Sequence, residues 1–341
     1  MLNLKKYVNS ILTDGSNFIS IGGQERDIDM SDLGYFGPSS VSWRVHGDLC
    51  QLSGGLGALF SQILNPAVAA GVSDWSNYKV NPWGRFFNTS NFVLSTTYGS
   101  KKEYWKSINL VKRVHGNVKG FEASGAHYDA NDPKLLLWVH CCNISSFLRA
   151  YQTYGIKKLT EIEKDTYISE MVRVAVDLGV KKEKVPKTCL ELNNYLEGSA
   201  PNLGLTQQNR SIYHSLIRLP LPENAGQNTS QLNSIYKISS RIVLRLLYWV
   251  LLAGTLANIP PEQKKVLGLP RENEVPKYLI KFYAKMRLKI KSVVMVVCNK
   301  ALKMTRLKIG PSKTCIQAYT LAEQYNPLFP PNYPNWPVGK E

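Results

Sequence analysis

The sequence lacks the residue patterns of the commonest metal, hydrolase and dinucleotide sites. It has five histidines but no H-E-x-x-H, and no H-x-E followed by P-C-x-x-C, which excludes zinc hydrolysis and zinc deamination. No G-x-S-x-G nucleophile elbow is present. The glycine cluster Gly54-Gly55-Leu56-Gly57 lacks the G-x-G-x-x-G spacing, which argues against a dinucleotide site. Its glycines, unfavourable in a helix, predict instead the close approach of another helix or a flat ligand.

Disulfide, secretory and membrane-spanning signals are missing as well. The six cysteines form no C-x-x-C pair, and adjacent Cys141 and Cys142 fall in an apparent helix, so a reducing compartment fits best. No uninterrupted apolar core follows Lys5 and Lys6, and we expect no signal peptide. The longest apolar run, Leu246 to Ala257, is shorter than the roughly 20 residues of a spanning helix. We therefore expect a buried helix there, and a cytoplasmic protein.

Strand-like alternation is nearly absent, and the apolar residues recur at helical spacing instead. This predicts an all-α fold. Asn81-Pro82 and Asp132-Pro133 each place a capping residue before a proline, which predicts that a helix begins at each. Thr160, followed three residues later by Glu163, predicts a further helix start.

Proline and glycine interrupt the helical pattern between Asn258 and Glu274, which indicates a boundary. We predict an N-terminal arm over residues 1–34 and a single large helical domain over residues 35–260. A basic helical extension with a Pro-rich tail is predicted over residues 261–341.

The charge is strongly positive, with a formal net charge of +17. Basic residues crowd the stretch from Lys281 to Lys308 and alternate there with apolar ones. Such a stretch is typical either of a solvated helical face or of peripheral contact with an anionic membrane, and both readings stay open. No zinc-finger spacing, RNP motif or helix-turn-helix pattern accompanies the charge, so we expect no nucleic-acid partner.

The polar residues that point to chemistry lie between Asn81 and His140. Arg85 and Thr89 are four residues apart and share one helix face. A second helical pattern, from Lys101 to Asn117, places His115 on or beside its apolar stripe. The two histidines, the arginine and the threonine can therefore converge in one core. A hydrogen-bonded core histidine is the default interpretation for any one histidine of this kind.

Four ordered segments carry a resemblance to a known family: GPSSVSWRVHGD (residues 37–48), NPWGRFFNT (81–89), VHG (114–116) and LLLWVH (135–140). Together they resemble the oxygenase MpaB / latex clearing protein (rubber oxygenase) catalytic-domain family, over roughly residues 35–260. The resemblance implies an all-helical domain that encloses a haem b pocket and binds the iron through a histidine. One axial histidine is sufficient, because the porphyrin supplies the equatorial ligands.

The resemblance also implies roles for individual residues. His115 matches the proximal histidine of the family in order and in its His-Gly context, and is expected to be the metal ligand. Arg85 and Thr89 match an arginine-x-x-x-threonine element, and both are expected to be catalytic. Arg85 is also expected to bind the cofactor, because a guanidinium pairs with a haem propionate or a distal oxygen species.

Three further residues receive roles in the same way. In the family, the tryptophan-arginine element packs near the cofactor, which implies cofactor contact by Arg44 and His46. His140 is expected to be catalytic, and is the alternative ligand. Asn88 stands where the rubber-cleaving members carry lysine, so cleavage of polyisoprene is not predicted.

The sequence thus predicts a haem b-dependent oxygenase that uses dioxygen or peroxide. Its expected substrate is a hydrophobic small molecule, with isoprenoid-like chains among the candidates. Two other functions stay open: a haem-binding protein without catalysis, and a cofactor-free interaction protein at a membrane surface.

Overall fold

A computed structural model describes residues 20–21, 31–48, 50–79, 82–155, 157–218, 245, 248–249, 251–269 and 310–311. Most of these residues are helical, which confirms the predicted all-α fold. The basic stretch from Lys281 to Lys308 lies outside the described residues, and its structure stays a prediction.

The α-helices, in chain order, are α1 (Val41–Gly47), α2 (Gln51–Gln62), α3 (Pro66–Trp75), α4 (Pro82–Tyr98), α5 (Lys101–His115), α6 (Pro133–Tyr154), α7 (Glu161–Leu178), α8 (Cys189–Ser199), α9 (Gln207–Ile217) and α10 (Pro261–Val266). Residues 251–258 are also helical. Short 3-10 turns lie at Asn77–Lys79, Lys182–Lys184 and Ala200–Asn202.

Local capping explains where several of these helices begin. The Asp132 carboxylate accepts the amide of Lys134 at 2.8 Å, directly before Pro133 opens α6. Thr160 and Glu163 form a reciprocal capping box at α7, as their spacing predicts. The Asn65 side chain accepts the amides of Ala67 and Val68 at the start of α3. These bonds satisfy amides that have no partner inside their own helix.

Two pairs of short strands accompany the helices. Strands β2 (Lys119–Phe121) and β3 (His127–Asp129) form an antiparallel hairpin between α5 and α6. Strands β1 (Ser20–Ile21) and β4 (Gly310–Pro311) pair in parallel. The sequence gives no sign of this hairpin, because strands of three residues are too short to show a clear period of two.

Helix α6 is the centre of the largest hydrophobic cluster. Its buried side chains pack with residues of α1, α5, α7 and α8, including Val45, Ile108, Ile168 and Leu192. On another side α6 meets α2, where the indole of Trp138 donates to the carbonyl of Gln62 at 3.0 Å. The core is therefore arranged around this one helix.

Glycine lets α2 and α6 approach closely. A β-carbon on Gly54 would lie 2.8 Å from a ring carbon of Phe147 and 3.0 Å from its Cα. A β-carbon on Gly57 would meet only ordinary contacts, the nearest at 3.6 Å from Thr255. The predicted close approach of another helix to the glycine cluster is confirmed at Gly54.

Among the described residues, none of the helices alone is both long and apolar enough to cross a membrane. Helices α2 and α3 reach that length and composition only as a pair, and the chain bends by 105° between them.

The Gly54 contact yields a stability prediction. Gly54→Ala should destabilise the protein by about 1–3 kcal/mol, because the new methyl group overlaps the backbone of Phe147. Gly57→Ala is the matched control. It should be neutral or stabilise by up to about 1 kcal/mol, since alanine favours a helix over glycine. Urea unfolding midpoints measure both variants, and equal midpoints would contradict the close approach.

Candidate active site

His46, on α1, is a fully engaged core histidine. Its Nδ1 lies 2.8 Å from the Thr97 hydroxyl, and its Nε2 lies 3.0 Å from the Tyr167 hydroxyl. Thr97 gives its own proton to the carbonyl of Val93 at 2.7 Å. The Nδ1–H of His46 must therefore donate to Thr97, and Nε2 accepts from Tyr167. Burial lowers the pKa of His46 to about 3, which keeps the ring neutral.

Arg44, on the same helix, forms an ion pair with Glu163 of α7. Glu170, also on α7, accepts the backbone amides of Val41 and Ser42 at 3.1 and 2.8 Å. These contacts fasten α1 to α7. Cofactor contact by Arg44 or His46 stays a prediction, and it would require rearrangement of these bonds.

Arg85, on α4, is the next arginine to which the sequence gives a role. Its side chain is half-buried, and burial lowers the pKa of its guanidinium. Within the part of the chain that the structure describes, no hydrogen bond or ion pair engages this guanidinium. One turn later, the Thr89 hydroxyl donates to the backbone carbonyl of Arg85 at 3.2 Å. The Thr89 hydroxyl is thus engaged by the backbone of its own helix.

His115 is the last residue of α5 and has one ring nitrogen without a partner. Its Nδ1 is buried and has no hydrogen-bond partner. Burial lowers the pKa of His115, and the nearby charge of Arg85 lowers it further. A hydrogen bond with the backbone of Ala130 opposes the shift. His115 thus has one ring nitrogen without a hydrogen-bond partner, and Arg85 lies near enough for its charge to affect the pKa of the ring.

His140, on α6, is buried with 6% of its surface exposed. Its Nε2 has no hydrogen-bond partner, and burial lowers the pKa of the ring to about 4. No hydrogen bond or ion pair in the described residues joins it to Arg85 or His115. Its predicted catalytic role therefore stays a prediction.

An apolar cavity of about 50 Å³ lies between α2, α3, α4 and α9. Arg85 supplies the charged group in its wall. The sequence did not predict that α9 would line this cavity. The signal was weak: Ile212, Ser215 and Leu216 have the spacing of one helix face. The lining also includes Leu56, Leu59, Gln62, Ile63, Val68, Val72, Tyr78, Pro82 and Phe86.

Among the described residues, no group of three or more histidine, cysteine, aspartate or glutamate side chains could hold a bare metal ion. His115 can thus contribute one ligand, and any other ligands to a metal there would have to come from a cofactor. This donor set fits a haem iron, which needs only an axial ligand from the protein.

Because His46 is buried as a neutral ring, we predict that the folded protein loses stability in acid. The pKa of His46 is about 3 in the folded protein and about 6.5 in an unfolded chain. Between these values the unfolded state binds more protons, so stability falls with falling pH. The free energy of unfolding falls by up to about 1.4 kcal/mol per pH unit for each such histidine.

His46→Gln should make that slope shallower. Denaturant titrations between pH 7 and pH 4 test this, with His127→Gln as the control because His127 is exposed. An unchanged slope in His46→Gln would contradict the neutral buried ring.

Comparison with known proteins adds the following findings. A family model described as ER-bound oxygenase mpaB/B'/rubber oxygenase, catalytic domain, matches residues 43–287. An uncharacterised protein of Mycobacterium bovis and one of Mycobacterium tuberculosis are each 26% identical to the chain over 147 residues. The alignment covers 42% of this chain and 57% of each relative, so the chain spans little more than half of their length. No solved structure matches the chain.

Proposed function

Since the chain belongs to the family of the ER-bound oxygenase mpaB/B' and rubber oxygenase catalytic domain, we propose that it is a haem b-dependent oxygenase acting on a hydrophobic substrate. The family itself supports oxygenase activity. The observation that carries the finer proposal is the buried, unused Nδ1 of His115, near the half-buried guanidinium of Arg85, which has no counter-ion among the described residues.

His115 is suited to hold the iron because its ring is kept neutral. A histidine binds a metal through an unprotonated nitrogen, and a lowered pKa keeps that nitrogen available at neutral pH. The backbone of Ala130 engages the ring as well, which fixes its orientation in the manner common for metal-binding histidines. Haem, when bound, would supply the redox chemistry that activates dioxygen or peroxide.

Arg85 is suited to meet a negative charge. A buried guanidinium without a counter-ion is unfavourable, so an anionic group beside it is stabilised. That group is either a haem propionate or the negative charge that develops as oxygen is reduced. The Thr89 hydroxyl, one turn away, can turn from the Arg85 carbonyl toward the same group. Arg85 and Thr89 are thus proposed to act together.

The apolar cavity beside Arg85 supports a hydrophobic substrate, such as an isoprenoid-like chain. Its volume of about 50 Å³ is smaller than the ~300–1,000 Å³ of typical ligand sites. Cofactor or substrate binding would therefore have to move α3, α4 or α9 outward.

We propose a cytoplasmic location, with peripheral contact to an anionic membrane and without a nucleic-acid partner.

Replacement of the proposed ligand tests haem binding directly. His115→Ala should lose the Soret absorption band of protein expressed with haem supply, because the iron loses its ligand. His127→Ala and His214→Ala are controls and should keep the band, since both side chains are exposed. A normal band in His115→Ala would move the assignment to His140.

Replacement of Arg85 separates catalysis from haem retention. Arg85→Leu should lower turnover by about 100-fold or more, the usual cost of losing one charge-stabilising donor. Haem content should fall less than turnover. Arg85→Lys keeps the charge without the planar fork and should give intermediate turnover. Equal loss of haem and turnover in Arg85→Leu would instead indicate that Arg85 mainly holds a propionate.

The same preparations distinguish the alternative functions. A Soret band without oxygenated products from isoprenoid and long-chain substrates, with either oxidant, would indicate haem binding without catalysis. No band after haem supply would favour a cofactor-free interaction protein.

A further inference from the structure

The outward half of α5 exposes a mixture of basic and apolar side chains. Lys102, Lys106 and Arg113 are exposed and fall in one row along the helix, at spacings of four and seven residues. Large apolar side chains flank this row, with exposed fractions of 38% for Trp105, 53% for Leu110 and 52% for Val114. We call these six side chains the α5 face.

The α5 face carries positive charge. In the described residues, no ion pair or hydrogen bond engages the charged groups of Lys102, Lys106 and Arg113. The acidic residue of α5, Glu103, is used in the capping box at the start of the helix. The neighbouring Lys119 differs, because it pairs with Asp129 at 2.9 Å. The α5 face therefore has a positive potential directed toward solvent.

Two more exposed apolar side chains lie just beyond the end of α5. Phe121 of the hairpin is 66% exposed, and Trp75 is 52% exposed. The indole of Trp75 donates to the carbonyl of Lys119 at 3.1 Å, and the amide of Val118 donates to the carbonyl of His115 at 3.0 Å. The first bond holds Trp75 against the hairpin, and the second holds the start of the hairpin to the C-terminal end of α5.

The mixture of cations and apolar side chains on the α5 face favours a membrane surface over other partners. Cations alone would suit a nucleic acid or an acidic protein, but exposed leucine, valine, phenylalanine and tryptophan gain nothing from a phosphate backbone. Exposed apolar side chains beside lysine and arginine are typical of a surface that lies in the interface of an anionic bilayer. Tryptophan in particular favours the headgroup level.

We propose that the α5 face docks on an anionic membrane surface, with Lys102, Lys106 and Arg113 on lipid headgroups and Leu110 and Val114 inserted below them. This contact is separate from the basic stretch at residues 281–308. His115 ends the same helix, so docking would place the proposed active site beside the bilayer, from which a hydrophobic substrate can enter. Only this last consequence rests on the proposed function.

Vesicle binding of the full chain tests the charge requirement without haem or substrate. Wild type should bind phosphatidylcholine vesicles that contain phosphatidylserine and not pure phosphatidylcholine. Lys102→Glu/Lys106→Glu/Arg113→Glu should weaken that binding about tenfold or more, since each cation near an anionic surface contributes severalfold. The control, Lys181→Glu/Lys182→Glu/Lys184→Glu, changes the net charge equally at exposed positions and should keep most of the affinity.

A second pair of variants tests insertion. Leu110→Ser/Val114→Ser should weaken binding even at high salt, where electrostatic attraction is screened. Ile162→Ser/Leu190→Ser is the matched control, because these side chains are 80% and 70% exposed on α7 and α8. The four substituted side chains are at the surface, and circular dichroism checks that each variant is folded.

Several results would overturn the proposal. The first is that wild type does not bind vesicles, and the second is that it binds neutral and acidic vesicles equally. The third is that the charge variant of the α5 face and its control lose equal amounts of vesicle affinity. Binding unchanged in both α5-face variants would place the membrane contact elsewhere on the chain. A dimer that Leu110→Ser/Val114→Ser converts to a monomer, with vesicle binding unchanged, would make the α5 face an interface between two copies. The haem and turnover measurements are unaffected by any of these outcomes.

Discussion

The close packing of α2 against α6 is the constraint on which the rest of the structure depends. Gly54 has no side chain to hold it away from Phe147, so the two helices meet at backbone distance. Helix α6, fixed in this way, presents its other sides to α1, α5, α7 and α8. Helix α2 presents Leu56 and Leu59 to the cavity that Arg85 also lines. A larger residue at position 54 would therefore disturb both the core and the candidate active site.

The buried polar groups fall into two kinds. Arg44 and His46 are engaged by the protein: the Arg44 guanidinium has an ion pair with Glu163, and His46 has a hydroxyl at each ring nitrogen. Among the described residues, the Arg85 guanidinium has no counter-ion and the His115 Nδ1 has no hydrogen-bond partner, which is costly unless a further group is bound. Satisfied groups of this type hold helices together, whereas unsatisfied ones that lie near each other indicate a binding site.

Sequence reasoning succeeded where the signal was local. The capping pairs at Asp132 and at Thr160 with Glu163 predicted helix starts that the structure has, because a cap and its amides lie within one turn. It missed the hairpin at residues 119–129, whose strands are too short to show a pattern. It also could not foresee that His46 is engaged by Thr97 and Tyr167. Those partners are far along the chain, and only the packing of α4 and α7 brings them to the ring.

The protonation state of His115 follows from a competition between opposing effects. Its place at the C-terminus of α5 favours the imidazolium, because the negative end of the helix dipole lies there. Burial acts in the opposite direction because it disfavours the charged ring, and it is the largest cause that lowers the pKa of His115. His115 is half-buried, but the cation of Arg85 adds to the effect, and the net pKa is lowered. The ring is therefore neutral, although the end of a helix otherwise favours a charged histidine. A neutral ring has an unprotonated nitrogen that is able to bind a metal.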